Sequence, residues 1–411
     1  MEITALAPRW GAFARLTLRA LRYRNYRWYA GGQSLSLVGT WMQHTAMGWL
    51  VYRLTGSALL LGVVGFSGQV FSFLLAPFGG VLADRLDRRR LLLWTQSLAA
   101  LQAAILALLV YDGSIRVWQI VALSCFLGIV TSLDAPSRHS FVADLVDDRE
   151  DLVNAVALNA SIFHGARLVG PAAAGLLIRW TDEGICFSLN AASFLAVIIA
   201  LAAIRPKYCL LTTTRRPILE DFMESVAYVK HHPRMNPIIL LIALAGLLGM
   251  PHTILMPVFA RDYLHAGPGT LGALLTSSGI GAFAATIFLA SRKNPAQLRR
   301  VISGAFMLFP ASMAAFALSQ TLWLSLACLF LSGFGVVCQV AGGNAAIQLD
   351  VDENKRGRVM GLVNTAFLGM APFGSLITGY LALEIGARGT VIAETLALSA
   401  CSLYLVRKLS G

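Results

Sequence analysis

Charge, and acidic charge above all, is scarce in this sequence. Only 13% of its 411 residues are charged, 57% are hydrophobic, and Asp and Glu number 21 against 33 Lys and Arg. A water-soluble fold of this size could not hide so much apolar surface, so the solvent for most of the chain is a lipid bilayer. Cysteine is sparse as well. Cys125, Cys186, Cys209, Cys328, Cys338 and Cys401 stand singly, with no CxxC or metal-ligand spacing, which leaves them as small packing residues. No phosphate-binding Gly-Lys-Ser/Thr loop occurs, no HExxH and no Gly-x-Ser-x-Gly, and His44, His164 and His252 fall in separate segments. ATP hydrolysis, enzymatic catalysis, a metal and a cofactor are therefore not expected.

What the chain does have is a series of charge-free runs long enough to cross hydrocarbon: 28–52, 54–83, 91–111, 117–133, 184–204, 235–260, 263–291, 301–349 and 359–383. The run 301–349 is too long for one crossing and Ser319-Gln320-Thr321 divides it. Two further segments carry a single charge each, Arg167 in 152–178 and Glu394 in 389–406. Twelve crossings result, and α-helix is the expected form because a crossing segment must satisfy its own backbone.

An even count puts both chain ends on one side. Basic residues crowd that side, with Arg9, Arg15, Arg19, Arg22, Arg24 and Arg27 before the first crossing and Arg407 and Lys408 after the last. Alternate loops continue the bias through Arg85 to Arg90, Arg138 and Arg149, Arg205 to Arg234, Arg292 to Arg300, and Lys355 to Arg358. The other loops keep only Arg53, Arg116, Arg179, Arg261 and Arg388. The positive-inside rule then predicts cytoplasmic termini. Because the charge is scattered among short loops, no nucleic-acid platform is expected. Arg15 to Arg24 interrupt any secretory signal core, so 1–25 reads as a cytoplasmic amphipathic segment.

Weak internal repeats divide the chain. Leu82-Ala83-Asp84-Arg85 returns as Leu289-Ala290-Ser291-Arg292, an offset of 207, and His44-Thr45 with Arg53 returns as His252-Thr253 with Arg261, an offset of 208. Leu145-Val146-Asp147-Asp148 leading to Asn159 pairs with Asp350-Val351-Asp352-Glu353 leading to Asn364, an offset of 205. Two pseudo-symmetric six-helix bundles, 26–204 and 237–411, are expected. The polar stretch 205–236 between them places Ile218, Phe222, Val226 and Val229 on one side and Glu220, Asp221 and Glu224 elsewhere. It predicts a cytoplasmic linker with an interfacial helix.

The stretch Gly79-Gly80-Val81-Leu82-Ala83-Asp84-Arg85-Leu86-Asp87-Arg88-Arg89-Arg90 resembles the signature loop of the major facilitator superfamily, with Asp87 where that family has Gly. The resemblance implies a conformational latch of Gly80, Asp84, Arg85, Arg88, Arg89 and Asp144, with Asp84 at the start of helix 11 near Gly357 and Arg88 paired to Asp144. The alternative is that these charges only set topology. Ala166-Arg167-Leu168-Val169-Gly170-Pro171-Ala172-Ala173-Ala174-Gly175 resembles the Gly-x-x-x-Gly-Pro-x-x-Gly-Gly motif of the superfamily's exporters, with Ala166 and Ala174 replacing Gly. Such a helix can bend or seal, and ordinary small-residue packing is the other reading. With Asp134-Ala135-Pro136-Ser137-Arg138, these stretches look like a bacterial subgroup containing enterobactin-type siderophore exporters and macrolide efflux proteins. The Arg that many members carry early in helix 4 is absent, since Ser124, Cys125 and Phe126 stand there.

That resemblance implies a monomeric antiporter of the bacterial inner membrane, exporting a siderophore or drug-like amphiphile against protons by alternating access. An importer or lipid-linked symporter on the same fold is the alternative, and a membrane-embedded enzyme the distant one. A charge at the bilayer centre costs about 2.5–3.5 kcal/mol even on lenient scales, so Asp134, His44 and Glu394 are the proton-coupling candidates. Asp134 could instead form a local pair with Arg138 four residues on, and Glu394, close to the outer end of helix 12, could snorkel. Cavity candidates are Gln33, Thr40 and His44 on one helix face, Asn159, Phe163 and Arg167 on another, and His252, Gln339, Asn344 and Asn364 from the second half; Arg167 either attracts an anionic or carbonyl-rich substrate or only neutralises Asp134.

Overall fold

The computed structural model describes residues 18–204, 218–230, 232–233, 235–290, 295–353 and 355–410. All regular structure among them is helical. The expected twelve crossings are present: α1 (Arg24–Thr55), α2 (Ala58–Arg85), α3 (Arg88–Tyr111), α4 (Val117–Asp144), α5 (Arg149–Trp180), α6 (Glu183–Ala203), α7 (Met235–Tyr263), α8 (Pro268–Ala290), α9 (Pro295–Leu318), α10 (Leu322–Asp350), α11 (Arg356–Leu368, continuing through 371–385) and α12 (387–410). Ten segments are long and apolar enough to cross a membrane, the last of them covering both α11 and α12. α1 is not among the ten. It carries Gln33, Ser36, Gln43 and Thr45 as buried residues, so its polar groups face protein rather than lipid.

Local chemistry sets the helix ends. Ser57 and Asp182 accept from Leu60 N and Ile185 N and so cap α2 and α6. Asp87 takes the amides of Arg89 and Arg90 at 2.9 and 3.2 Å and starts α3, a role that glycine at this position could not fill. Gly386, with φ +74°, makes the entire turn between α11 and α12.

In the first half α1 packs on α5 and α6, α2 on α4, and α3 on α4 and α6. In the second half α8 packs on α10, α9 on α10 and α12, and α7 on α11. Four of the five first-half pairs, all but α1 with α6, map onto these second-half pairs when six is added to the helix number. The same operation relates the two main seams between halves, α2 with α11 and α5 with α8. The helices therefore form two bundles with the same internal packing pattern, as the repeats predicted.

The linker helix Ile218–Lys230 seats on the start of α11, with Glu224 paired to Arg358 at 2.9 Å and Tyr228 donating to Asp352 at 3.2 Å. The turn Arg19–Arg22 does the same for α5 through Arg19 and Arg22 on buried Asp151. Residues 1–17 and 205–217 lie outside the described residues.

Candidate transport site

The two seams are closest at the ends of α2, α5, α8 and α11 remote from the chain's first residues. A Cβ on Gly62 of α2 would meet Ser375 O of α11 at 2.6 Å and Gly379 Cα at 2.9 Å. Gly272 of α8 has the same relation to Pro171 O at 2.6 Å and Gly175 Cα at 3.0 Å on α5. Such backbone contact needs residues without side chains on both faces. Polar groups add to this closure. Tyr52 of α1 donates to Asp262 of α7, Arg261 reaches Tyr52 O and stands 5.8 Å from its ring, and Thr276 of α8 donates to Leu168 O at 3.3 Å.

At mid-depth, aromatic and basic side chains of α1 and α5 come together. Trp41 meets Phe163 edge-on with ring centroids 5.8 Å apart and His44 at 5.9 Å, and Phe163 meets His164 at 5.6 Å. The Arg167 guanidinium stands over Trp41 at 5.6 Å, a cation–π contact. Gly170 lets this happen, because any Cβ there would strike Trp41. His44 and Phe163 are exposed although they lie many residues from their helix ends. From the second half, buried His252 of α7 meets Phe309 in a tilted ring contact with centroids 6.0 Å apart. The α7 backbone is irregular beside it, running from α-helix to a wide turn over Ala245–Gly249, a tight turn over Met250–Leu255 and a second wide turn over Phe259–Tyr263. Irregular backbone at this depth is tolerated where it is buried in protein or lines a cavity.

The remaining cavity candidates scatter. Gln33 is 2% exposed, inside the first bundle, while Thr40 returns its hydroxyl to Ser36 O at 2.9 Å. Gln339 is 0% exposed and braces α10 to α9 through Ala305 O at 2.7 Å. Asn159 is half-buried, Asn364 exposed, and Asn344 half-buried with its Oδ1 unpartnered among the described residues. A buried polar chain escaped sequence reasoning. Asn190 donates to Gln43 at 2.8 Å and Gln43 to Gln102 at 3.0 Å, tying α6, α1 and α3 together. Gln43 is adjacent to His44 in sequence, yet one residue of helix turns it from the accessible face into the bundle.

The carboxylates have contrasting surroundings. Asp134 is held by Arg138 at 2.7 Å, Thr95 at 2.8 Å and Gln96 at 2.7 Å. Glu394 is 3% exposed, and Thr378 of α11 donates to its Oε1 while Oε2 has no partner among the described residues. Its carboxylate is buried against α11 rather than pointing outward, because the α11–α12 turn is a single glycine and α12 starts against α11 at once.

Among the latch candidates, Arg88 donates to both oxygens of Asp144 at 2.9 and 3.0 Å. Arg89 instead binds the last carbonyls of α6, Leu201 O at 2.6 Å and Ala202 O at 2.7 Å. The side chains of Asp84 and Arg85, and the surroundings of Gly80, lie outside the described residues. In the helix-5 stretch, Gly170 faces α1 and Gly175 faces α8, Ala166 and Ala174 are buried, and α5 runs unbroken through Pro171.

Residues 15–409 match the family described as transmembrane secretion effector. The chain is 25% identical to a staphyloferrin A transporter of Staphylococcus aureus, over 88% of this chain and 90% of that one. It is 21% identical to macrolide efflux protein A of Streptococcus pyogenes, over 86% and 88%. Among solved structures it resembles a bacterial homologue of the human lysosomal transporter Spinster in an inward-facing, unoccupied conformation. The TM-score is 0.71 at 13% identity, covering 94% of this chain and 98% of that one.

Proposed function

The chain belongs to the transmembrane secretion effector family of the major facilitator superfamily, and from that membership we propose that it exports a small amphiphilic molecule in exchange for protons by alternating access. The observation that carries the reading is the pair of swapped glycine seams, α2 on α11 and α5 on α8, which close one end of the molecule over a mid-depth cation–aromatic cluster with solvent-exposed members. All hydrogen bonds between the halves among the described residues lie from that cluster toward the closed end. The basic loops lie at the other end, which the positive-inside rule assigns to the cytoplasm of a bacterial inner membrane. The site is thus loaded from the cytoplasm. Opening the seams would release the cargo outward.

A relative named for macrolide efflux supports outward movement, and one named as a staphyloferrin A transporter supports a small-molecule cargo. Glu394 is the favoured proton carrier, since it sits directly behind the α11 seam and has one oxygen without a hydrogen-bond donor. Inverted membrane vesicles with an imposed acid interior test the whole reading. Compounds that a deletion strain retains should accumulate inside only while the pH gradient stands. Accumulation into right-side-out vesicles instead would overturn export.

A further inference from the structure

Arg167 sits about 27 Å from the start of α5 and about 20 Å from its end at 1.5 Å per residue. Neither end of α5 is within reach of its side chain. An ionised group at such depth requires an opposite charge, a polar partner or water. No carboxylate among the described residues pairs with it: Asp134 is taken by Arg138, Asp144 by Arg88 and Glu183 by Arg53. Its one described partner is the face of Trp41, and an aromatic ring, worth about 0.5–2 kcal/mol or somewhat more when desolvated, offers no hydrogen-bond acceptor in the guanidinium plane. The fork of donors on Arg167 is left for a ligand, and that fork matches a carboxylate in two parallel bonds.

The surroundings define the rest of the ligand. Trp41 and Phe163 stand edge to face beside the guanidinium, and Phe163 is part-exposed. His164 contributes a buried Nδ1 with no partner among the described residues. No carboxylate among the described residues pairs with the guanidinium, so the formal charge at this place is positive. A cationic amphiphile would be repelled.

We propose that Arg167, flanked by Trp41 and Phe163, is the subsite for an anionic group of the transported molecule, so that the cargo is a carboxylate attached to a flat or apolar frame. The proposal rests on the exporter reading for the word cargo, but its test does not. Purified full-length protein in detergent, with no gradient, is dialysed against 2-naphthoate, 2-naphthamide and 2-naphthylmethylammonium. The carboxylate should bind about tenfold or more tighter than the uncharged amide, as two charge-assisted hydrogen bonds require, and the ammonium weakest. Arg167→Gln should erase the preference for naphthoate over naphthamide, Arg167→Lys should retain part of it, and Trp41→Leu should weaken both probes alike. Equal binding of carboxylate and amide to the unaltered protein overturns the subsite, as does saturable binding of none of the probes, or a preference that survives Arg167→Gln. Because the unaltered protein alone decides the first comparison, a variant that fails to fold does not rescue the idea. Failure of vesicle export with carboxylate preference intact would remove the exporter reading and leave this subsite standing.

Discussion

At the scale of single residues the two buried acids differ in how much of their charge the protein has answered. Asp134 has an arginine and two side-chain donors, so replacing it by Asn leaves Arg138 uncompensated inside α4. Breaking a buried pair from one side costs roughly 3–5 kcal/mol. Asp134→Asn should therefore lower the thermal midpoint of the purified protein by several degrees, and adding Arg138→Gln should recover part of the loss. Glu394 has one hydroxyl donor, and no other charged group among the described residues acts on it. Glu394→Gln keeps the shape and the acceptor for Thr378, so stability should hardly move. If Glu394 carries the proton, that same substitution should abolish export driven by a pH gradient while binding and gradient-free exchange of substrate persist. Full gradient-driven export by Glu394→Gln would return the role to Asp134 or His44.

At the scale of elements, the spans were legible because crossing a bilayer leaves a mark that composition cannot conceal, a run without charge. Even α1, too polar for a hydropathy criterion, kept its run from 28 to 52 free of charge. The irregular path of α7 was not legible. Pro251 and Pro257 hinted at it, but the wide turn at Ala245–Gly249 accompanies contacts that only the fold creates, Gly246 against Phe367 O and Gly249 against the Phe309 ring. The cation–aromatic cluster was half legible: Phe163 and Arg167 share a face of α5 by spacing, whereas Trp41 enters because Gly170 admits it. The glycine seams make an element-level prediction. Gly62→Ala would push a methyl to 2.6 Å from Ser375 O with backbone on the facing side, and overpacking of this kind costs about 1–3 kcal/mol. Seam opening should be favoured, seen as faster labelling of a cysteine at Ser375 by a membrane-impermeant maleimide. Gly304→Ala, with nothing within 4 Å of its new methyl, should leave labelling unchanged.

At the scale of the whole molecule, the two halves repeat not only helices but also the way each is tethered. Tyr23 gives its hydroxyl to Asp148 and Asp151 at the start of α5, and Tyr228, 205 residues later, gives its hydroxyl to Asp352 before α11. The segment before each bundle is thus clasped to the helix that forms one side of a seam, so α5 and α11 move with their own halves and not independently. A seam opened by rigid rocking must part along its length. Holding it at one point should stop the cycle. Gly65 and Ser375 offer that point, since a Cβ on Gly65 would lie 3.3 Å from Ser375 Cβ, near the 3.5–4.5 Å that a disulfide spans. In a chain whose own six cysteines are replaced by Ala or Ser, Gly65→Cys with Ser375→Cys should cross-link on oxidation and bring transport in reconstituted vesicles to background. A reducing agent should restore it, while either single substitution should transport throughout. The naphthoate probe should still bind the cross-linked protein, because the lock holds shut an end already closed in this conformation. A fully cross-linked protein that continues to transport would mean that the seams do not part during the cycle, and a mechanism other than rocking of the two halves would have to carry the cargo past them.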